Sequence, residues 1–147
     1  MTKAPDATVI NQNGQLIKLS TLWAAGPLLL VFYPRNETRV CTAQLCDYRD
    51  RLADFTALGV QVVGINPGSA KQHQHFAHAH GFTFPLFSDP NHACARAYGA
   101  AGWWGTRRLS VLIDQQGQER WRLLVNPFTR PSADTLLRGI QPHLSTS

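Results

Sequence analysis

Sulfur is scarce in this chain, with 3 cysteines and 1 methionine in 147 residues, and acidic residues number 9 against 14 lysines and arginines. An odd, small cysteine count argues against a secreted disulfide scaffold and suits a reducing compartment, where a bond forms only transiently. No apolar stretch approaches the roughly 20 residues of a membrane span, and Met1-Thr2-Lys3-Ala4-Pro5 lacks a signal-peptide core, so a cytoplasmic protein without a membrane partner is expected. The cations are mostly arginine and are dispersed, with Arg49 and Arg51 on one helical pattern, Arg120 and Arg122 on a strand pattern, and Arg130 and Arg138 near the end. Without a basic block interleaved with aromatics, the net charge of +5 gives no nucleic-acid footprint. There is no internal repeat, low-complexity tract or linker. A hydrophobic content of 44% with 16% charged residues fits one globular domain spanning 1–147.

What is present concentrates around Cys41. The run Leu28-Leu29-Leu30-Val31-Phe32-Tyr33 is apolar throughout, as in a strand buried on both faces, and Pro34 cannot extend its ladder. From Leu45 the apolar positions Leu45, Leu52, Phe55 and Leu58 follow helical spacing, with Gly59 where a helix end favours a left-handed residue. Strand, short polar loop and helix therefore place Cys41 in a first helical turn. Unpaired backbone N–H groups and the positive end of the helix dipole favour thiolate there, and such sites lower a cysteine pKa from about 8.5 to roughly 3.5–7.5. With Arg35 and Arg39 nearby, Cys41 is expected to be an electropositive, accessible nucleophile.

Cys46 follows five positions on. Residues so spaced on an intact helix are separated by ~7.5 Å of rise and about 140°, which puts their Cα atoms roughly 8–9 Å apart. A disulfide requires ~7 Å or less. Bonding of Cys41 to Cys46 would thus require the first turns to unwind.

The remaining pattern gives the fold class. A hairpin around Asn11-Gln12-Asn13-Gly14 precedes the 28–33 strand, a long helix to Gly59 and a second strand over 60–65. This is a βαβ unit with a right-handed crossover. Helices over 69–80 and 90–98 come next, then strands over 109–113 and 120–125 joined across Gln115-Gln116-Gly117. A helix over 132–140 stops before Pro142. The expected fold is α/β and thioredoxin-like, with an N-terminal β-hairpin and a central mixed sheet flanked by helices.

Pro34, Thr38 and Cys41 have the Pro-x-x-x-Thr-x-x-Cys spacing of the peroxiredoxins, and Cys46 falls where the peroxiredoxin Q (bacterioferritin comigratory protein) branch often keeps its resolving cysteine. Ala4-Pro5-Asp6, Asn13-Gly14 and Phe82, Phe84-Pro85-Leu86, Ser88-Asp89 resemble other segments of that branch, so the likeness runs from about residue 4 to 117. The resemblance implies a thiol peroxidase acting on hydrogen peroxide and organic hydroperoxides. Cys41 would be the peroxidatic and Cys46 the resolving cysteine, with Pro34 and Thr38 shaping the site. Thioredoxin or a similar dithiol would be the reductant, with no cofactor or metal, and the chain would be a monomer. The family's arginine before a Thr-Phe-Leu-Ile-Asp strand falls on Arg108 in Arg108-Leu109-Ser110-Val111-Leu112-Ile113-Asp114, with Arg107 the neighbouring claimant. Arg108, the Thr38 hydroxyl and backbone N–H groups near Val40 and Cys41 are the expected donors for the leaving oxygen. Two departures stand out. Arg39 replaces a proline usual two residues before the nucleophile, and the segment 99–106, with Trp103 and Trp104, is shorter than usual.

Cys94 reads as a structural thiol, the branch's alternative resolving position falling on Ala77. His73, His75, His78 and His80 split by helical rotation into two pairs on opposite faces, which makes one metal site poor and a solvated face the simpler reading of His75 and His78. A copper-binding protein of the same fold would favour cysteines four apart plus a remote histidine, and a thioredoxin-type reductase would carry Cys-x-x-Cys. Neither spacing is present.

Overall fold

The computed structural model describes residues 2–36, 38–102, 105–126 and 129–144. Trp103 and Trp104, in the shortened segment, lie outside the described residues. The elements in order are β1 (Thr2–Lys3), β2 (Thr8–Ile10), β3 (Leu16–Lys18), α1 (Leu19–Trp23), β4 (Leu28–Phe32), α2 (Arg39–Asp50), α3 (Leu52–Ala57), β5 (Gln61–Asn66), α4 (Ala70–His80), β6 (Leu86–Ser88), α5 (Ala93–Tyr98), β7 (Ala101–Gly102), β8 (Gly105–Thr106), β9 (Arg108–Ile113), β10 (Gln118–Val125) and α6 (Ala133–Ile140). Eight strands form one mixed sheet in the order β1-β10-β9-β4-β5-β6-β2-β3, and β7 pairs with β8 alone.

Central β4 runs parallel to β5 and antiparallel to β9, the pairing expected of a βαβ unit closed by a returning hairpin. Alternation sends its side chains to two cores. Leu29, Val31 and Tyr33 pack with α2, α4 and α6, whereas Leu28, Leu30 and Phe32 pack with α1 and α5. This double burial is why the strand reads as an unbroken apolar run. Gly64 in β5 faces Tyr33: a Cβ there would lie 2.8 Å from a Leu86 methyl and 3.1 Å from the Tyr33 ring. Only glycine leaves Tyr33 its place at the end of β4.

Several expectations need correction. The long helix to Gly59 is two helices, broken at Arg51 (φ −108°, ψ 13°), although Gly59 does take the left-handed conformation at φ +76°. The Arg51 guanidinium is drawn sideways, bonding Asp54 at 2.6 Å and Asp134 of α6 at 2.6 Å, and no glycine or proline marks the break in sequence. The helix expected over 90–98 begins as a 3-10 turn, with Asn91 and His92 both at positive φ, before α5 starts at Ala93. Strands β1, β6, β7 and β8 are two or three residues long, too short for a periodic signal.

Candidate active site

Thr38 ends the loop after β4 and caps α2: its backbone is extended, and its Oγ1 accepts the Cys41 N–H at 3.3 Å. That cap is worth about 1 kcal/mol to the helix. Arg39 and Val40 are the first helical residues and Cys41 the third, so its sulfur faces the sheet under the α2 N-terminus. Opposite it, β9 contributes Arg108, whose side chain shares the strand face of Leu112 toward α2 while Leu109, Val111 and Ile113 face the other core. The Arg108 Nη2 donates to Cys41 Sγ at 3.1 Å and its Nη1 to Gln44 Oε1 at 2.6 Å. A fixed guanidinium against the sulfur and the helix N-terminus above it both stabilise negative charge on that atom.

Gln44, one turn beyond Cys41, donates through Nε2 to the Tyr48 hydroxyl at 3.0 Å, and Tyr48 donates to the Pro131 carbonyl at 2.7 Å. Arg108 is thus held by a relay of groups buried together. Burial first of all drives the Tyr48 phenol well above its ordinary ionisation. Tyr33 is also raised, by burial and then by the neighbouring Cys41.

The neighbouring claimant Arg107 is exposed and does not reach the sulfur; its backbone N–H donates to the Ala100 carbonyl at 2.6 Å. Pro34 is half-buried, turns the chain out of β4 and lines, with Arg35 and Asn36, an open groove of about 1010 Å³ that extends to Lys71, His75, His92 and Thr106. Cys46 is half-buried beside the same core, on an unbroken helix with Cys41, and Arg49 lies close enough to it to interact electrostatically.

Two expectations fail. Cys41 is 0% exposed, so the sulfur that faces Arg108 is not accessible. The Cys41 N–H is not available to a leaving oxygen either, because Thr38 Oγ1 already takes it. Cys94 is buried in the other core, and burial, followed by Asp89, pushes its thiol up.

Gln44 and Tyr48, which hold Arg108, and Asn36, which lines the groove, have no part in the expectations from sequence. Gln44 and Tyr48 stand three and seven positions after Cys41, the spacing of one helix face, and that is a legible signal. His75 and His78 are exposed as expected, but His73 is fully buried on the same face as Phe76 and Ala77, and its Nδ1 lies 2.9 Å from Asn36 Nδ2. Among the described residues no group of three or more His, Cys, Asp or Glu could hold a metal ion, and no helix is long and apolar enough to cross a membrane.

The model of the AhpC/TSA family matches residues 1–122. Peroxiredoxin Bcp of Bacillus subtilis is 32% identical over 130 residues, covering 82% of this chain and 82% of that protein. Alkyl hydroperoxide reductase E of Mycobacterium bovis is 35% identical over 130 residues, covering 84% of each. Among solved structures, peroxiredoxin Q of Xanthomonas campestris superposes with a TM-score of 0.87 at 26% identity, over 99% of this chain and 98% of that one.

Proposed function

Since the chain belongs to the AhpC/TSA family, in the branch of peroxiredoxin Bcp and peroxiredoxin Q, and is a thiol peroxidase, we propose that Cys41 is the sulfur that attacks the peroxide. The carrying observation is the 3.1 Å contact of Arg108 Nη2 with Cys41 Sγ. The thiolate takes one peroxide oxygen, the O–O bond breaks, and its electron pair leaves on the other oxygen, which is protonated to water or an alcohol. Cys41 becomes a sulfenic acid. Arg108 is placed to donate to the charge that develops on both oxygens, and Thr38, with Oγ1 accepting from Cys41, keeps its own hydroxyl proton to offer.

The Cys46 thiol then attacks the sulfenic sulfur, forming the disulfide and releasing water. Helical geometry forbids that bond while the first turns of α2 stand. The later turns are anchored: the Tyr48 hydroxyl donates to Pro131 O at 2.7 Å, Asp47 accepts the Ala133 N–H at 2.7 Å, and Arg49 donates to the His80 carbonyl at 2.6 Å. Unwinding therefore runs from the N-terminus and moves Cys41 toward Cys46. A dithiol protein of the thioredoxin type returns both thiols by exchange, and no cofactor enters the balance. Hydrogen peroxide and organic hydroperoxides are the substrates, and the chain works in the cytoplasm as one domain, 1–147, and as a monomer. A copper-binding role fits this sulfur poorly, since it is buried with a cationic guanidinium against it.

Steady-state peroxide reduction coupled to thioredoxin and its reductase, with intact mass taken before and after one equivalent of peroxide, tests the reading. Turnover and the loss of two hydrogens are expected. No turnover, or no mass change, would refute it.

A further inference from the structure

The loop between β4 and α2 holds a polar cluster that the chemistry above leaves unused. The Asn36 Oδ1 accepts from the Tyr33 hydroxyl at 2.7 Å and from Asn66 Nδ2 at 3.1 Å, while its Nδ2 faces His73 Nδ1 at 2.9 Å. Asn66 in turn accepts the Gly68 N–H at 2.7 Å. These partners come from the ends of β4 and β5 and from the first turns of α4, so three elements converge on one carboxamide. With Oδ1 taken by two donors, Nδ2 must donate to His73, which assigns the imidazole lone pair to Nδ1 and the proton to Nε2. Burial keeps His73 neutral, its ionisation lowered to about 4, so that lone pair persists at ordinary pH.

His73 and Tyr33 are 0% exposed and Asn66 1%. Burying such groups costs stability relative to apolar packing unless they pair. Here the Tyr33 hydroxyl, Asn66 Nδ2 and His73 Nδ1 pair around a single loop residue, two positions before the Thr38 cap, while the buried His73 Nε2 has no hydrogen-bond partner among the described residues. No proline stands between Thr38 and Cys41 to stiffen the chain. Among the described residues, Asn36 makes the loop's side-chain hydrogen bonds other than the Thr38 cap itself.

We propose that Asn36 and His73 are positioning residues for the peroxide step: the clasped Asn36 fixes the 34–38 loop, which seats Thr38 on the α2 turn and keeps Cys41 Sγ against Arg108. The inference rests on Cys41 being the attacking sulfur. Loosening the clasp displaces the sulfur from its donor, while the unwinding that disulfide formation needs becomes easier. The two steps should respond in opposite senses, which a general loss of folding would not produce.

The test is rapid mixing with hydrogen peroxide, following first Cys41 oxidation and then disulfide formation, in wild type, His73→Leu, His73→Asn and Asn36→Ala. Leucine keeps the bulk of the imidazole without its acceptor, and asparagine keeps an acceptor near the Nδ1 position with less bulk. The peroxide step should slow about ten- to a hundredfold in His73→Leu and in Asn36→Ala, the range for ångström-scale misplacement, while the disulfide step that follows becomes faster. His73→Asn should recover most of the peroxide rate despite a lower melting temperature than His73→Leu. An unchanged peroxide rate in His73→Leu and Asn36→Ala would overturn the proposal, as would rates that simply follow melting temperature across the set. Should His73→Leu fail to fold, Asn36→Ala on the loop decides the matter alone. Failure of wild type to oxidise at Cys41 would instead sink the reading beneath it.

Discussion

Cys41 and Cys94 occupy nearly the same kind of place. Each is 0% exposed and each stands in the first turn of a helix packed on the central sheet, one in either core. What faces them differs in sign. Cys41 meets the Arg108 guanidinium at 3.1 Å, and its helix is capped by an uncharged hydroxyl. The helix of Cys94 is capped by the Asp89 carboxylate, which accepts the Cys94 N–H at 2.7 Å and the Ala95 N–H at 2.9 Å and spends the helix N-terminus on its own charge. A helix start therefore does not make a reactive thiol by itself. On the proposed assignment of Cys41 as the attacking sulfur, the partner that claims the unpaired N–H groups and the charge across from the sulfur separate the catalyst from the core thiol.

Substitution at the two sulfurs gives the widest separation: Cys41→Ser should abolish peroxide consumption, whereas Cys94→Ser should leave it intact in a coupled assay. Next comes the charge. Arg108→Ala should slow the peroxide step by about 10²–10³, the usual loss for one preorganised donor, and stopped-flow oxidation measures it. An unaltered rate constant would remove Arg108 from the reaction. On the Cys94 side, Asp89→Asn leaves one of two buried N–H groups without an acceptor and should cost about 1–3 kcal/mol in denaturant unfolding, with the peroxide rate unchanged.

A further effect concerns pH and belongs to the Cys41 side alone. Burial lowers His73 to about 4 in the folded protein against about 6.5 unfolded, so the unfolded chain takes up the proton first as pH falls. The stability associated with a neutral His73 is whole above pH 6.5 and lost on the way down to about 4. Between pH 7 and 5 the loss should be about 2 kcal/mol, and His73→Leu should flatten that part of the profile.

How much of this was legible depended on whether a feature is local. The turn from β4 into α2 could be read because Pro34, Thr38 and Cys41 act on their own backbone, and the double burial of β4 because it leaves no polar position in the run. The likeness of Arg108-Leu109-Ser110-Val111-Leu112-Ile113 to the family's arginine strand suggested Arg108, but a one-residue slip could be excluded only by seeing which arginine faces α2. The break at Arg51, whose guanidinium bonds an aspartate 83 positions away, Asp134, had no local mark. The burial of Cys41 and the inward turn of His73 are facts of packing. Helical rotation grouped His73 with His80, but only the sheet beneath shows which face is covered.

The most direct measurement is peptide-resolved mass spectrometry of the Cys46→Ser protein, treated with one equivalent of hydrogen peroxide in the presence of a sulfenic-acid trap. One adduct at Cys41, removed by Arg108→Ala at the same reaction time, is the expected result. An adduct at Cys94, or labelling of Cys41 at the same speed without Arg108, would contradict the view that this guanidinium singles out the reacting sulfur.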